Sequence, residues 1–499
     1  MPAPTLTARY AEAVPELTSA WQPTLPPLAE GQRAEYVVVN DGLASHLGID
    51  PEWVQGEPGL AVLGAREVLP GSTPVAQAYA GHQFGGFSPL LGDGRAVLLG
   101  ELAQAEGGNV DLALKGSGRT PFSRGGDGRA ALGPVLREYL FGEAMTALGI
   151  PSTRALAAVR TGDAVFRDGV MAPGAVLARV AASHIRIGTF EVVAHSLVPR
   201  LRASVFDRLL THTCERHAPH LLERAPGERP MALLEHVVEA QARLVAQWMS
   251  VGFLHGVLNT DNTAISGQTL DYGPCAWLED YHEGAVFSSI DTEGRYRFGA
   301  QPQVLPWNLA RFAEALLAGG GQATAEQADE ARDLVAGFAA RYRFAWTERM
   351  RAKLGLAPGL PGVQDPTAAA LVDDLLAILA AERADMTGTF RALAADLRAG
   401  TASCAPARHT RWWQRWQDAL AGADVRAVAA RMDAVNPVYV LRNHLVEEAL
   451  AAAVGGDLGP FERLRGAVSS PYVVRPGLER YAEPAPPGFT QAHVTYCGT

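Results

Sequence analysis

The stretch Leu254-His255-Gly256-Val257-Leu258-Asn259-Thr260-Asp261-Asn262, followed by Thr269-Leu270-Asp271-Tyr272-Gly273, decides how this chain is read. It sets an amide, Asn262, beside two carboxylates, Asp261 and Asp271. Phosphoryl and nucleotidyl transfer need Mg2+ on hard oxygen ligands and little else, and these side chains supply such oxygens. The apolar Ala264, Ile265 and Leu270 around Ser266-Gly267-Gln268 predict a hairpin of two short strands, which would bring Asn262 and Asp271 together. Taken singly, Asn-Thr-Asp-Asn is a loop and Asp-Tyr-Gly a turn. Their joint occurrence favours a site.

The spacing resembles the protein-kinase catalytic loop, H-R-D-x-x-x-x-N followed by D-F-G. His255 takes the His place, Asn262 the Asn place, and Asp271-Tyr272-Gly273 the D-F-G place. The catalytic Asp place holds Val257, which cannot accept a proton. Asp261, directly before the Asn, is the candidate base.

The 499 residues suffice for two or three domain-sized units, and 48% hydrophobic content for a large core. A net charge of −10 gives no reason to expect a nucleic-acid partner. No apolar run reaches membrane-span length, and the first residues lack signal-peptide character, so a cytoplasmic protein is expected. Four cysteines form no disulfide framework. Of 43 basic residues only Lys115 and Lys353 are lysine. A compact ammonium and a planar guanidinium are different tools, so a surviving lysine marks a job arginine cannot do. Lys353 lies in an exposed-looking stretch. Lys115 ends the strand-like run 110–115, where a kinase places its phosphate-binding lysine.

Residues 1–70 read as an N-terminal extension, 71–188 as a lobe with Gly-rich loop, lysine strand and Glu helix, 189–400 as a helical lobe, and 401–499 as a helical extension with a Pro-rich tail. Residues 75–84 read as a helix. Gly92-Asp93-Gly94-Arg95 is a tight turn whose N–H groups could approach phosphate. The loop 116–129 carries three arginines suited to an anion, or is a flexible surface loop. Glu138 lies on the next helix, where a kinase keeps the partner of its lysine. Arg179 and Arg186, in or after an apolar strand, need a phosphate or a carboxylate once buried. Asn436-Pro437 reads as an N-cap and first helical residue. His212, Cys214, His217 and His220 read as a solvated helix end rather than a metal site.

The chain resembles the selenoprotein O family, also called YdiU. The resemblance covers nearly the whole chain. Gly81-His82-Gln83-Phe84-Gly85, Gly92-Asp93-Gly94-Arg95, residues 114–124, Ser183-His184-Ile185-Arg186, residues 255–263 and Asp271-Tyr272-Gly273-Pro274 carry it. It implies an α+β, protein-kinase-like, two-lobed fold with N- and C-terminal extensions and a mainly helical C-lobe. It implies a protein adenylyltransferase moving AMP from ATP to Ser, Thr or Tyr hydroxyls and releasing pyrophosphate, with Mg2+ or Mn2+. ATP would bind in a flipped orientation. Gly92, Gly94, Arg95, Asp127 and Gly128 would contact it. Lys115, paired with Glu138, would meet the phosphates, and Arg179 and Arg186 would hold the phosphate end. Asn262 and Asp271 would bind metal, and Asp261 would be the base. The partners are protein substrates, without nucleic acid or membrane; a monomer is favoured. Cys275 and Cys497 are a candidate redox disulfide tying the tail across the site. An ordinary kinase using Asp261 and an inactive ATP-binding regulatory module stay open as alternatives.

Overall fold

The computed structural model describes residues 3–105, 107–167, 169–321, 323–356 and 365–496. The strands are β1 (Thr18–Ala20), β2 (Glu35–Val39), β3 (Val75–Gln77), β4 (Gly81–Gln83), β5 (Gly86–Ser88), β6 (Ala96–Ala103), β7 (Asn109–Lys115), β8 (Ala130–Ala131), β9 (Arg154–Arg167), β10 (Val170–Ala181), β11 (Phe253–Leu254) and β12 (Ala276–Trp277). Strands β4 and β5 pair with each other, as do β11 and β12; the rest form one antiparallel sheet, in the order β1-β3-β6-β7-β10-β9-β2 with β8 on β10. The C-terminal part is mostly helical.

The two faces of this sheet bury different things, because side chains alternate along each strand. On one face Val97, Leu99, Leu112, Leu114, Val176 and Ala178 pack against Trp53, Val54, Val62 and Leu63 from the short helices Pro51–Gln55 and Glu57–Leu63. On the other, Leu98, Ala175 and Leu177 join Leu136, Tyr139 and Leu140 of the helix Leu132–Ala147. That core continues without a break into the C-terminal helices. In register, Lys115 on β7 lies opposite Leu177 on β10, and Ala113 opposite Arg179. Lys115 and Arg179 therefore project from the same face as Leu177, toward the helix that carries Glu138.

Several local expectations change. Residues 75–84 are the strands β3 and β4 with a connection between them, not a helix. The arms around Ser266-Gly267-Gln268 do not pair with each other. Ala264 bridges Arg186 and Thr269 bridges Ser152, because both arms are taken up by outside backbone. Pro437 does not open a helix; the next one begins at Asn443. The end of the helix Pro199–His217 is not solvated at its functional groups. His212 and Cys214 are buried, and His217 Nε2 lies 2.7 Å from Ser183 Oγ. Among the described residues, three or more His, Cys, Asp or Glu side chains nowhere gather as a metal site. No helix among them is long and apolar enough to cross a membrane.

Lys353 is the largest departure. It is only 5% exposed, and its ammonium lies 4.2 Å from the centre of the Phe390 ring. The helix Phe338–Lys353 ends at this residue, which packs against Phe390 of the helix Met386–Ala399. Burial, reinforced by Arg349, lowers its pKa to about 7. The unfolded chain then binds more protons than the folded one between about pH 7 and the ordinary lysine value near 10.4. Lys353→Met should remove this contribution. Wild-type unfolding free energy should rise with pH from 7 to 10, and the variant's should rise less, as read by urea unfolding at each pH.

Candidate active site

The site is built where β7, the helix Leu132–Ala147 and the 271–273 turn meet. Lys115 Nζ donates to Glu138 Oε2, and lies 3.0 Å from Asp271 Oδ1. Glu138 Oε1 accepts from Arg179 at 3.0 Å. Glu138 and Arg179 are buried, while the Asp271 side chain is 31% exposed. Burial disfavours both carboxylates' charged forms, but the cations prevail. Lys115 and Arg179 hold Glu138 below its ordinary value, and Lys115 and Arg95 hold Asp271 well below the carboxylate range. Both carboxylates are therefore ionised at neutral pH. Lys115, Glu138 and Asp271 face a cavity of about 540 Å3 that also reaches Arg95, Leu450 and Tyr496.

Asp271 has φ +69°, a left-handed conformation uncommon for a residue with a Cβ. The surrounding structure fixes it. Arg137 donates to the Gly273 carbonyl at 3.0 Å and to that of Cys275. Tyr272 is buried against Phe141 and Phe253, with its hydroxyl on Ser152 Oγ. His255 Nε2 lies 3.0 Å from the Leu270 carbonyl, clasping the catalytic loop to this turn. Burial lowers the His255 pKa, so the ring is neutral and that nitrogen is the donor. Gly256 shows why this loop lacks the kinase arginine. Its φ is +86°, and a Cβ there would stand 2.5 Å from the Pro274 carbonyl oxygen.

Asp261 is buried, on a 3-10 turn over Thr260–Asn262. Its Oδ2 accepts from Gln83 Nε2 at 3.1 Å, and its Oδ1 has no hydrogen-bond partner among the described residues. Burial raises its pKa to about 6, with Arg186 and Gln83 pulling the other way. Asp261 is thus mostly ionised at pH 7 yet basic enough to take a proton. Asn262 donates its Nδ2 to the Val257 carbonyl at 3.1 Å, which turns its amide oxygen away from that carbonyl. Arg186 NH1 donates to the Asp261 carbonyl at 3.0 Å, and its guanidinium lies over the Tyr79 ring at 4.3 Å.

The Gly-rich turn and the arginine loop form one unit. Gly92 has φ +66°, and a Cβ on it would strike the Phe122 ring at 2.3 Å. Thr120 Oγ1 donates to the Asp93 carbonyl at 2.6 Å, and Ser123 Oγ to that of Gly94. The loop is closed at its base, where Gly118 N donates to the Gly128 carbonyl at 2.9 Å. Asp127 accepts from Arg167 at 2.7 and 3.0 Å, so its carboxylate is committed within the protein. Cys275 is buried, and its thiol pKa is pushed up to about 12. Thr495 Oγ1 donates to the neighbouring Pro274 carbonyl at 2.7 Å. Cys497 lies outside the described residues.

Sequence reasoning missed the grip on the catalytic loop. The β4–β5 hairpin lies across it. His82 N donates to Thr260 Oγ1 at 2.7 Å, and Phe84 N to Asn259 Oδ1 at 3.1 Å. Glu191 bridges His82 Nδ1 and Thr260 Oγ1 at 2.5 and 2.6 Å. The signal was the stretch Gly81–Gly85 itself, too polar and Gly-rich for the helix read there.

A buried carboxylate thus stands beside Asn262, displaced from the kinase base position held by Val257. The model for the protein adenylyltransferase SelO family matches residues 4–469. The chain belongs to the SelO family. It is 53% identical to the protein nucleotidyltransferase YdiU of Cereibacter sphaeroides, over 92% of this chain and 93% of that one. It is 50% identical to the YdiU of Mycolicibacterium paratuberculosis over 98% and 97%, and 49% identical to that of Mycolicibacterium smegmatis over 99% and 98%. Membership in the SelO family places the chain among the protein adenylyltransferases.

The Gln83 amide stabilises the Asp261 carboxylate, so its loss should raise the pKa of that group. Gln83→Leu should move the acidic limb of the transfer rate upward in pH from about 6. An unmoved limb would mean that a different group titrates. Gly256→Ala should destabilise the protein by about 1 kcal/mol or more, because a Cβ meets both an unfavourable φ and a fixed carbonyl; thermal unfolding reads this.

Proposed function

We propose that the chain is a two-lobed, kinase-like enzyme that transfers AMP from ATP to Ser, Thr or Tyr hydroxyls of proteins and releases pyrophosphate. The observation that carries this reading is Asp261, buried beside Asn262 with one oxygen unpartnered among the described residues, while Val257 holds the usual base position. In this reading Asp261 Oδ1 takes the proton of the acceptor hydroxyl as its oxygen attacks the α-phosphorus. Gln83 and the Arg186 contact to the Asp261 backbone keep that carboxylate in place.

Lys115 neutralises charge on the phosphates, held by Glu138, with Arg179 behind it. Arg179 and Arg186 add positive potential at the phosphate end, where pyrophosphate leaves. Gly92, Gly94, Arg95, Asp127 and Gly128 shape the nucleotide's side of the cleft. A cavity of about 540 Å3 falls within the ~300–1,000 Å3 usual for small-molecule sites. Asn262 and Asp271 offer one amide and one ionised carboxylate oxygen, which fits Mg2+ or Mn2+, ions that share few protein ligands with substrate phosphates. When bound, such an ion supplies charge neutralisation on the phosphate oxygens. The kinase alternative uses the same base, and the direction in which ATP lies separates the two.

Label transfer to lysate proteins from ATP labelled at the α- or the γ-phosphate tests the proposal. Label from α-labelled ATP alone is expected, and loss of it in Asp271→Ala. Label from γ-labelled ATP alone would make this a kinase. Asp261→Ala should lower transfer about 100- to 10,000-fold while ATP binding stays measurable by calorimetry. Loss of ATP binding with activity would remove Asp261 from the role of base.

A further inference from the structure

A second concavity, of about 720 Å3, lies at the tip of the β4–β5 hairpin, whose Phe84 N–H bonds Asn259 of the catalytic loop. Phe84, Ile290, Arg295, Arg297, Gln303 and Trp307 are among its walls. Phe84 and Ile290 are 39% and 44% exposed. Phe84 also has φ +50° at the hairpin tip, where Asn or Gly would be unstrained. Its N–H is held by Asn259 Oδ1 and by the Tyr296 hydroxyl, both at 3.1 Å. A large aromatic side chain is thus kept in an unfavourable backbone conformation and shown to solvent. The residue before it, Gln83, is the one that holds Asp261.

The charge in this groove is just as unusual. The Arg295 guanidinium lies 4.9 Å from the Trp307 ring centre and 5.7 Å from that of Tyr296, and its Nε has no hydrogen-bond partner among the described residues. Among the described residues no carboxylate pairs with Arg295 or Arg297. Asp291 is occupied as acceptor for the backbone N–H groups of Arg295 and Tyr296, at 2.9 and 2.8 Å. Glu293 shares the rim but forms no ion pair with either arginine. Arg295 and Arg297, with no ion pair among the described residues, stand beside exposed apolar surface on a wall that also carries the carboxylates of Asp291 and Glu293. Guanidinium forks suit carboxylates.

We infer that this groove is the acceptor-docking site: it takes an extended protein segment carrying Asp or Glu within a few residues of the hydroxyl to be modified, with an apolar side chain on Phe84 and Ile290. The inference rests on the transferase reading above. It assigns to Arg295 and Arg297 the choice among acceptors, and no part in the chemistry.

A degenerate peptide library centred on Ser, Thr or Tyr, incubated with α-labelled ATP and the full-length protein, tests it. Acidic flanking residues should be enriched among labelled peptides. For one acidic peptide and its Asn/Gln counterpart, wild type should favour the acidic one about two- to fivefold in kcat/KM, the order expected of partly exposed charge pairs. Arg297→Glu should abolish or invert that preference, through the peptide KM, with the KM for ATP and the rate on the neutral peptide unchanged. Equal use of the two peptides by wild type, retention of the preference in the variant, or a changed KM for ATP would overturn it. So would an unlabelled library beside labelled lysate proteins. Absence of label on any protein would instead overturn the transferase reading.

Discussion

Four charges around Lys115 set the position of everything else in the site. Two cations, Lys115 and Arg179, meet two carboxylates, Glu138 and Asp271, in a largely buried cluster. Buried charges of this kind add little net stability, because desolvation consumes most of their attraction. What they supply is geometry. The cluster joins the end of a central strand, the middle of a helix, a neighbouring strand and the 271–273 turn, so none of the four can shift without leaving a charge unpaired. The same requirement holds Asp271 at φ +69°.

The catalytic loop is held from the opposite side by hydrogen bonds rather than by charge. The β4–β5 hairpin grips it through His82, Gln83 and Phe84, and the Arg186 guanidinium from below. Close backbone approach is needed there. Added Cβ atoms would stand 2.8 Å from Asp261 Oδ1 at Gly81 and 2.1 Å from the Ala80 carbonyl at Gly188. The consequence is a carboxylate sealed enough for its pKa to rise to about 6, yet with one oxygen that finds no hydrogen-bond partner among the described residues.

Much of this was legible from residue order. The Lys115 strand and the Glu138 helix form the elements expected of them, while the run from His255 to Asp271 keeps its spacing without the expected hairpin. The misreadings share a physical cause. Residues 75–84 carry a mixed pattern, and their backbone partners are a distant strand and the catalytic loop, which no local periodicity encodes. The arms at 264 and 270 are apolar enough for strands but find partners at Arg186 and Ser152 instead of each other. Lys353 looked exposed because its neighbours are charged, whereas its burial depends on a helix that arrives some thirty residues later.

By itself the sequence determined which groups could do chemistry: one lysine at a strand end among arginines, one Asp moved next to an Asn, and the carboxylate of Asp271-Tyr272-Gly273. Those are properties of residue type and spacing. Tertiary structure alone decided what each group became. Burial made Asp261 a weaker acid, ion pairing made Asp271 a stronger one, and Arg167 absorbed the Asp127 carboxylate. It also set Arg295 against aromatic rings, with no ion pair among the described residues. A side chain's charge state and partners depend on what surrounds it in space, and in this fold those neighbours come from segments far apart along the chain.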